Sequence, residues 1–395
     1  MTGHIRIERR RKTGMKILIL GGGVGGHVTA NLLRKKLGKE HEVLVVDKKA
    51  QYEFSPSFLW ATMGWRKPSQ ITRNLSLLEK KGIKYVNGEV SKIDPSARTV
   101  KTNAGEFAYD YLVVALGAEL APYAIPELSG EAHHFYDLAT SMKLKDAVEG
   151  FSGGTIGIGV SSTPFKCPAS PYEAALLLDY HFRKRGIRDK VNFQFFTPEP
   201  QPMPVAGPRI GSMIRQMLEA RGISYHPNLK LASADLKKKE LYFEDGGKLG
   251  WDLLIVVPPH RVPTVVKEAG LTDGAPWVPV DKWSLRTKYD DVYAIGDVAL
   301  VKLFDGMALP KAGVFAHGQA KVVAHNIVAD IQGGEEKRFD GKGSCFIETG
   351  FGKAGFADGE FYAEPRVVNI KKPSVSRIWH WQKILFEKYW LWRWF

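Results

Sequence analysis

From Met15 onward, short apolar runs alternate with longer stretches of mixed polarity, a pattern that predicts strands separated by helices in parallel α/β layers. Lys16 to Leu20 reads as a buried strand, Val24 to Leu37 as a helix, and Val43 to Val46 as the next strand. Ile71 to Lys81 reads as a helix. Lys84 to Val114 supplies several strands, broken at Asn87-Gly88, Asp94-Pro95 and Asn103-Ala104-Gly105. A second unit opens near Gly150, with strands over 155–160 and 191–196, helices over 170–185 and 209–221, and the apolar run Leu253 to Val257. The first pattern then returns with Val292 to Ile295, Gly296-Asp297 and a long helix from Val314 to Ile331. The expected fold is α/β, with two Rossmann-like dinucleotide-binding domains, the second inserted in the first. Residues 15–149 and 281–340 would form one, 150–280 the other, and 341–395 a C-terminal region.

The loop after the first strand reads Gly21-Gly22-Gly23-Val24-Gly25-Gly26, a G-x-G-x-x-G motif between strand and helix. Gly21, Gly23 and Gly26 permit a tight turn and close approach of backbone to a pyrophosphate, which rests on the positive end of the helix. Asp47 ends the second strand, 24 residues after Gly23, where a carboxylate accepts hydrogen bonds from a ribose. The corresponding loop of the second unit, Gly157-Ile158-Gly159-Val160-Ser161-Ser162, has serine in place of the third glycine. Pro164, Pro168 and Pro171 delay the helix that should receive a phosphate, and Glu199 is a poorly framed ribose ligand, so NAD(P)H is disfavoured there.

The only two cysteines, Cys167 and Cys345, are too few for a disulfide framework and lack the C-x-x-C spacing of structural zinc. Cys167 falls in the loop where a pyridine-nucleotide enzyme would hold its second phosphate. A pair of buried free cysteines is the plainer alternative.

Charge changes the picture at the ends. Of the net +14, residues 1–14 contribute +4 and residues 366–395 contribute +6. No nucleic-acid motif lies between them, and basic residues interleaved with aromatics at a terminus suit an anionic lipid surface. Residues 375–395 read VSRIWHWQKILFEKYWLWRWF. On a helix, Ile378, Trp381, Leu385, Tyr389 and Trp392 share one broad face, widened by Trp379, Phe386, Trp390 and Trp394 and interrupted by Lys383, Glu387, Lys388 and Arg393. The expectation is an amphipathic membrane-binding segment, with a core-docked or dimer-forming helix as the alternative. The segment before Met15 lacks the apolar stretch of a secretory signal, and no run reaches the roughly 18 apolar residues of a spanning helix. Attachment from one side, at the cytoplasmic face of a cell membrane, is therefore expected.

Further segments carry a resemblance. Tyr111-Leu112-Val113-Val114-Ala115-Leu116-Gly117-Ala118 and Val292-Tyr293-Ala294-Ile295-Gly296-Asp297 resemble the second and third motifs of two-dinucleotide-fold flavoproteins, which implies FAD. Thr163-Pro164-Phe165-Lys166-Cys167-Pro168-Ala169, the stretch Leu309 to Ala320, Gly343-Ser344-Cys345-Phe346 and the tail Leu385 to Leu391 together resemble the sulfide:quinone oxidoreductase family. Flavocytochrome c sulfide dehydrogenase flavoproteins and type 2 NADH dehydrogenases are relatives of that family.

The resemblance implies that Cys167 and Cys345 form a redox pair on one face of the flavin, with hydrosulfide leaving a persulfide on Cys167 and a thiolate on Cys345. It implies Glu173 as a proton relay and Lys311 as a cation for the reduced flavin. Lys166 and Lys311 would favour the thiolate. Gly21, Gly23, Gly26, Asp47, Lys48, Val90, Ala115, Gly117, Gly296, Asp297, Lys311 and Gly313 would hold FAD. Phe315, Phe346 and Phe351 would line a quinone pocket. Sulfide, a membrane quinone and a lipid surface are the implied partners, a homo-oligomer is an option, and no metal is implied. The sequence departs from the family in lacking a third cysteine, which excludes a cysteinyl link to FAD, and a histidine in the loop after Phe196. His133 and His134 are substitutes for that histidine. Rival readings are a type 2 NADH:quinone oxidoreductase, a flavocytochrome-like subunit, and a flavin-binding membrane protein without turnover.

Overall fold

The computed structural model describes residues 12–125, 127, 128 and 132–395. Most of the basic N-terminal stretch, and Glu131, lie outside the described residues. Lys12 lies within them, and its ammonium meets Tyr111 and Asp330 at 2.9 Å each.

Five parallel strands make the first sheet, in the order Val292–Ala294, Tyr111–Val114, Lys16–Leu20, Glu42–Asp47, Lys84–Asn87. Their aliphatic runs are buried on both faces, as a parallel sheet requires. Ile17, Ile19, Val45 and Val113 pack under the helices Val24–Lys36 and Gly313–Gln332. Leu18, Leu20, Val46 and Val114 face the other way, onto Ile93 and Val100 of the antiparallel meander over 90–108. The chain leaves this sheet after Val114 and rejoins it at Val292. In between, Ile223–His226, Val191–Phe196, Gly154–Val160 and Leu253–Val257 form a four-stranded parallel sheet of their own.

The stretch expected as one helix over 71–81 is broken. Thr72–Asn74 pairs with Gln51–Glu53, and Leu75–Lys81 is a 3₁₀ helix whose N-terminus is capped by the Asn74 side chain. Leu75 and Leu78 are its buried residues, and their three-residue spacing suits the tighter turn.

After the long helix, Lys342–Gly350, Lys353–Glu360 and Val367–Ser376 form an antiparallel sheet. The strand Lys342–Gly350 bridges the two units at glycines. A Cβ on Gly343 would lie 2.6 Å from the Phe315 ring of the long helix, and one on Gly350 would lie 2.5 Å from Tyr180 of the helix Ser170–Lys184. Cys345 is thereby fixed between the two units.

The helix Arg377–Arg393 follows, with the Ser376 hydroxyl accepting from the Ile378 N–H at 2.9 Å. Its expected outer face stands: Ile378, Trp381, Leu385, Tyr389 and Trp392 are 55–74% exposed. The rest of the helix departs from the sequence reading. Lys383 and Glu387 do not interrupt that face but are buried on the opposite side, and Trp390 and Trp394 are buried with them. The two tryptophans pack around His27 and His317. Glu387 is held by Ser57 and Arg66, so side chains distant in sequence fix the rotation of the helix.

Candidate active site

The glycine loop has the shape of a pyrophosphate cradle. A Cβ on Gly26 would sit 1.7 Å from the Gly21 carbonyl oxygen, so no larger residue fits, while the space beside Gly23 is open. The helix Val24–Lys36 has no side-chain cap, which leaves its first amides for a ligand. Asp47 accepts from the Gly22 N–H at 2.6 Å and from the Lys49 N–H at 2.7 Å, and burial raises its pKa.

Ala115 and Gly117 follow the central strand, where the Ala115 N–H donates to Leu20. Gly296 turns with φ +74°, its N–H donating to Gln319 at 2.7 Å, and Asp297 follows half-buried. Gly313 opens the long helix within 3.7 Å of Val24, measured from the position of its absent Cβ. Two uncapped helix N-termini thus converge on one place, which fits the phosphates and ring carbonyls of FAD. Lys48, beside Asp47, is paired with Glu89 at the surface, and Val90 opens the meander.

The cysteine loop is tied to the first unit through its backbone. The Cys167 N–H donates to the Lys311 carbonyl at 2.7 Å, and Lys166 bridges Lys311. Both thiols are free and reached by solvent, yet burial pushes Cys167 up to about 11 and Cys345 up to about 12. Solvent therefore reaches both sulfurs although packed groups surround them closely. The two are close enough that Cys167 contributes to the rise at Cys345, so the structure gathers thiols that lie 178 positions apart.

Glu173 and Lys383 act on both thiols, the carboxyl raising and the ammonium lowering their pKa values. Lys383 donates to Glu173 at 2.6 Å, both buried, and its charge lies over the Trp60 ring. Burial works to lower the pKa of Lys383, but Glu173 and Glu348 outweigh it and the value rises, so the lysine keeps its proton. Glu348 in turn meets His380 at 2.9 Å. The sequence reading missed Lys383. Lys166, expected as a cation for the thiolate, does interact electrostatically with Cys167, while Lys383, arriving from the C-terminal helix, acts on both thiols.

Lys311 is directed elsewhere. Its ammonium donates to the Asp297 and Ala299 carbonyls at 2.6 and 3.2 Å and lies 3.5 Å from the centre of the Trp277 ring. Burial lowers its pKa to about 7. Its place in the structure is to clasp the Gly296-Asp297 turn.

In the second dinucleotide fold the candidate ribose ligand is turned inward. Nine residues separate strand Gly154–Val160 from helix Ser170–Lys184. Glu199 is buried and accepts from the Tyr172 hydroxyl at 2.8 Å, and burial raises its pKa to about 7. His134 pairs with Thr140 at 3.0 Å, and the His133 backbone bonds to Leu254 and Val256.

The three phenylalanines do not meet in one pocket. Phe315 is buried against Phe361, Phe346 packs on Phe356 next to Trp379, and Phe351 is exposed beside Tyr180. A cleft of about 720 Å³ lies between the long helix and the C-terminal sheet, with Val314, His317, Lys321 and Ser344 in its walls. Among the described residues no group of side chains is arranged to hold a metal, and no helix is long and apolar enough to cross a membrane.

Comparison with known proteins agrees with this geometry. Residues 15–322 match the family model described as pyridine nucleotide-disulphide oxidoreductase. The chain is similar to the sulfide-quinone reductase of Aquifex aeolicus, at 30% identity over 95% of this chain and 90% of the relative. The solved structure of the sulfide:quinone oxidoreductase from Aquifex aeolicus superposes with a TM-score of 0.84 at 26% identity, covering 96% of this chain and 91% of that one. A type II NADH:quinone oxidoreductase of Staphylococcus haemolyticus is 25% identical over 80% of this chain and 83% of its own length.

Proposed function

Because the chain belongs to the pyridine nucleotide-disulphide oxidoreductase family and, within it, to the sulfide:quinone oxidoreductases, we propose that it oxidises sulfide through Cys167 and Cys345 and passes the electrons to a membrane quinone. The observation that carries this reading is the convergence of the two thiols, with Glu173 and Lys383 between the two units, where an NADH enzyme needs an open nucleotide site. Burial of Glu199 against Tyr172, which takes the candidate ribose ligand out of reach, favours sulfide over NADH as donor.

In the oxidised pair, hydrosulfide attacks the Cys167 sulfur and the disulfide bond breaks. Cys167 keeps the incoming sulfur as a persulfide, and Cys345 leaves as a thiolate. Removal of two electrons from persulfide and thiolate together joins them as a sulfur-bridged pair, ready for the next hydrosulfide. FAD, when bound, supplies the two-electron acceptor. Lys383 lowers the cost of the anionic sulfurs in surroundings that otherwise raise their pKa values, and Glu173, which raises them, is held by Lys383. Polysulfide or zero-valent sulfur is the product class. Phe346, adjacent to Cys345 in sequence, is the aromatic wall proposed for the quinone.

The outer face of the C-terminal helix supports attachment to a lipid surface. Five large apolar side chains stand in solvent on one side, flanked by the exposed Lys388. An amphipathic helix seated in this way would hold the protein at the bilayer from which a quinone is drawn.

The deciding experiment is anaerobic reduction of the purified flavoprotein. Sulfide bleaches the flavin absorbance and NADH does not, and Cys167→Ser and Cys345→Ser each abolish the sulfide response. Retained sulfide-dependent bleaching in both variants sinks the cysteine mechanism, and rapid bleaching by NADH reassigns the enzyme as an NADH dehydrogenase.

A further inference from the structure

Cys167 has a positive φ of +52°, a left-handed backbone that an L-residue adopts only when its surroundings hold it there. Three hydrogen bonds do so. The Cys167 N–H donates to the Lys311 carbonyl at 2.7 Å, and the Cys167 carbonyl accepts from the Ser170 N–H at 2.9 Å and from the Ser170 hydroxyl at 2.8 Å. The Ser170 hydroxyl also meets the Tyr136 hydroxyl at 2.9 Å.

A hydroxyl has one proton to give. Since Ser170 gives its proton to Cys167, Tyr136 must be the donor to Ser170, and the string has a direction: Tyr136 to Ser170 to Cys167. Tyr136 is buried, packed on Phe135 at 5.1 Å and against the edge of His260 at 5.1 Å, so its hydroxyl is aimed and not free to turn away. Burial and Glu173 raise the pKa of the Cys167 thiol, and the Ser170 hydroxyl, bonded to the carbonyl of the same residue, works against that rise.

We infer that Ser170, oriented by Tyr136, is a positioning residue that holds Cys167 in its left-handed conformation facing Cys345 and donates to its sulfur when that sulfur carries charge. The inference rests on the cysteine-pair reading. It adds two hydroxyls that join the loop to residue 136, outside the cysteine segment itself. On forming a thiolate, the sulfur becomes the stronger acceptor, and the serine proton moves from carbonyl to sulfur while Tyr136 continues to supply Ser170. A hydrogen bond to a charged group is worth about 1.5–3 kcal/mol, which corresponds to about tenfold or more in the population of the anion.

The test uses the flavin-loaded protein with Ser170→Ala, Ser170→Thr, Tyr136→Phe and the Ser170→Ala/Tyr136→Phe double variant, each checked for flavin content and melting temperature. Two readouts are taken at fixed pH: the rate of iodoacetamide alkylation of Cys167 after reduction, and the midpoint potential of the Cys167/Cys345 couple against glutathione. Ser170→Ala is expected to slow alkylation about tenfold and, because the reduced thiolate loses its donor, to favour the disulfide by up to about tenfold, a fall of up to about 30 mV in potential. Tyr136→Phe should give a smaller change of the same sign, Ser170→Thr should behave as the parent, and Tyr136→Phe should add nothing in the Ser170→Ala background, since it acts only through Ser170.

Unchanged alkylation and potential in Ser170→Ala overturn the inference, as does full additivity of the two substitutions. The failure of the cysteine reading looks different: Cys167→Ser would then retain sulfide-dependent bleaching whatever the hydroxyl variants do.

Discussion

Replacing Lys383 by Met leaves the Glu173 carboxylate buried without its cation, 2.6 Å from where the ammonium stood. Breaking a buried pair by removing one partner costs about 3–5 kcal/mol, but here the carboxyl has an escape, because it can bind a proton. Burial already raises the pKa of Glu173, and loss of Lys383 raises it further. A folded state that holds a proton the unfolded chain has released loses stability as pH rises above the unfolded pKa.

With an ordinary Glu pKa of about 4.3 and 1.36 kcal/mol per pH unit, the penalty is capped near 3.7 kcal/mol at pH 7 and falls to about 1.6 kcal/mol at pH 5.5. The assay is urea unfolding of the flavoprotein at those two pH values for the parent, Lys383→Met and Lys383→Met/Glu173→Gln. The double variant should recover most of the loss at pH 7 and show no excess pH dependence, because nothing ionisable is left at position 173. Sulfide-dependent bleaching should stay at least about tenfold slow in both, since the cation that lowers both thiols is gone in each. If Lys383→Met is equally destabilised at both pH values, or Glu173→Gln gives no recovery, the buried pair is not the ion pair described.

Glu199, raised to about 7 by burial, makes its stabilising contribution below about pH 4.5 and loses it as pH rises through 7. Glu199→Gln should therefore gain up to about 3 kcal/mol on the parent between pH 4.5 and 8, read by urea unfolding. Gly343→Ala places a methyl 2.6 Å from the Phe315 ring and should cost about 1–3 kcal/mol while slowing sulfide-dependent bleaching, and Phe315→Leu should restore both. Trp381→Ser, Leu385→Ser and Trp392→Ser together remove three exposed apolar side chains. Flotation with anionic phospholipid vesicles should weaken by at least about a hundredfold, at roughly 1.5 kcal/mol or more per side chain, while the purified protein keeps its flavin.

Most of the fold was legible because its signals are local. The glycines at 21, 23 and 26 lie between a strand and a helix, and the returning strand Val292–Ala294 joins the same sheet as Lys16–Leu20. Asp47 is where the spacing placed it, bonded to the glycine loop. The error over 71–81 has a local cause as well: Asn74 caps a 3₁₀ turn, while Thr72 and its neighbours pair with a strand some twenty residues earlier, and periodicity does not report such a pairing. Lys311 was expected as a cation for the reduced flavin, and the direction its ammonium takes, toward the Asp297 carbonyl and the Trp277 ring, depends on groups 14 and 34 residues away.

The C-terminal helix divides what each level decides. By itself the sequence determined that Ile378, Trp381, Leu385, Tyr389 and Trp392 share a face, because the 3.6-residue period is a property of the helix alone. Which charges turn inward was decided only in the folded molecule. Lys383 finds Glu173, 210 positions away, and Glu387 finds Ser57 and Arg66, 330 and 321 positions away. A buried charge is tolerable only opposite its partner, so tertiary packing, bringing those partners to one side of the helix, set its rotation and brought a lysine to the two cysteines.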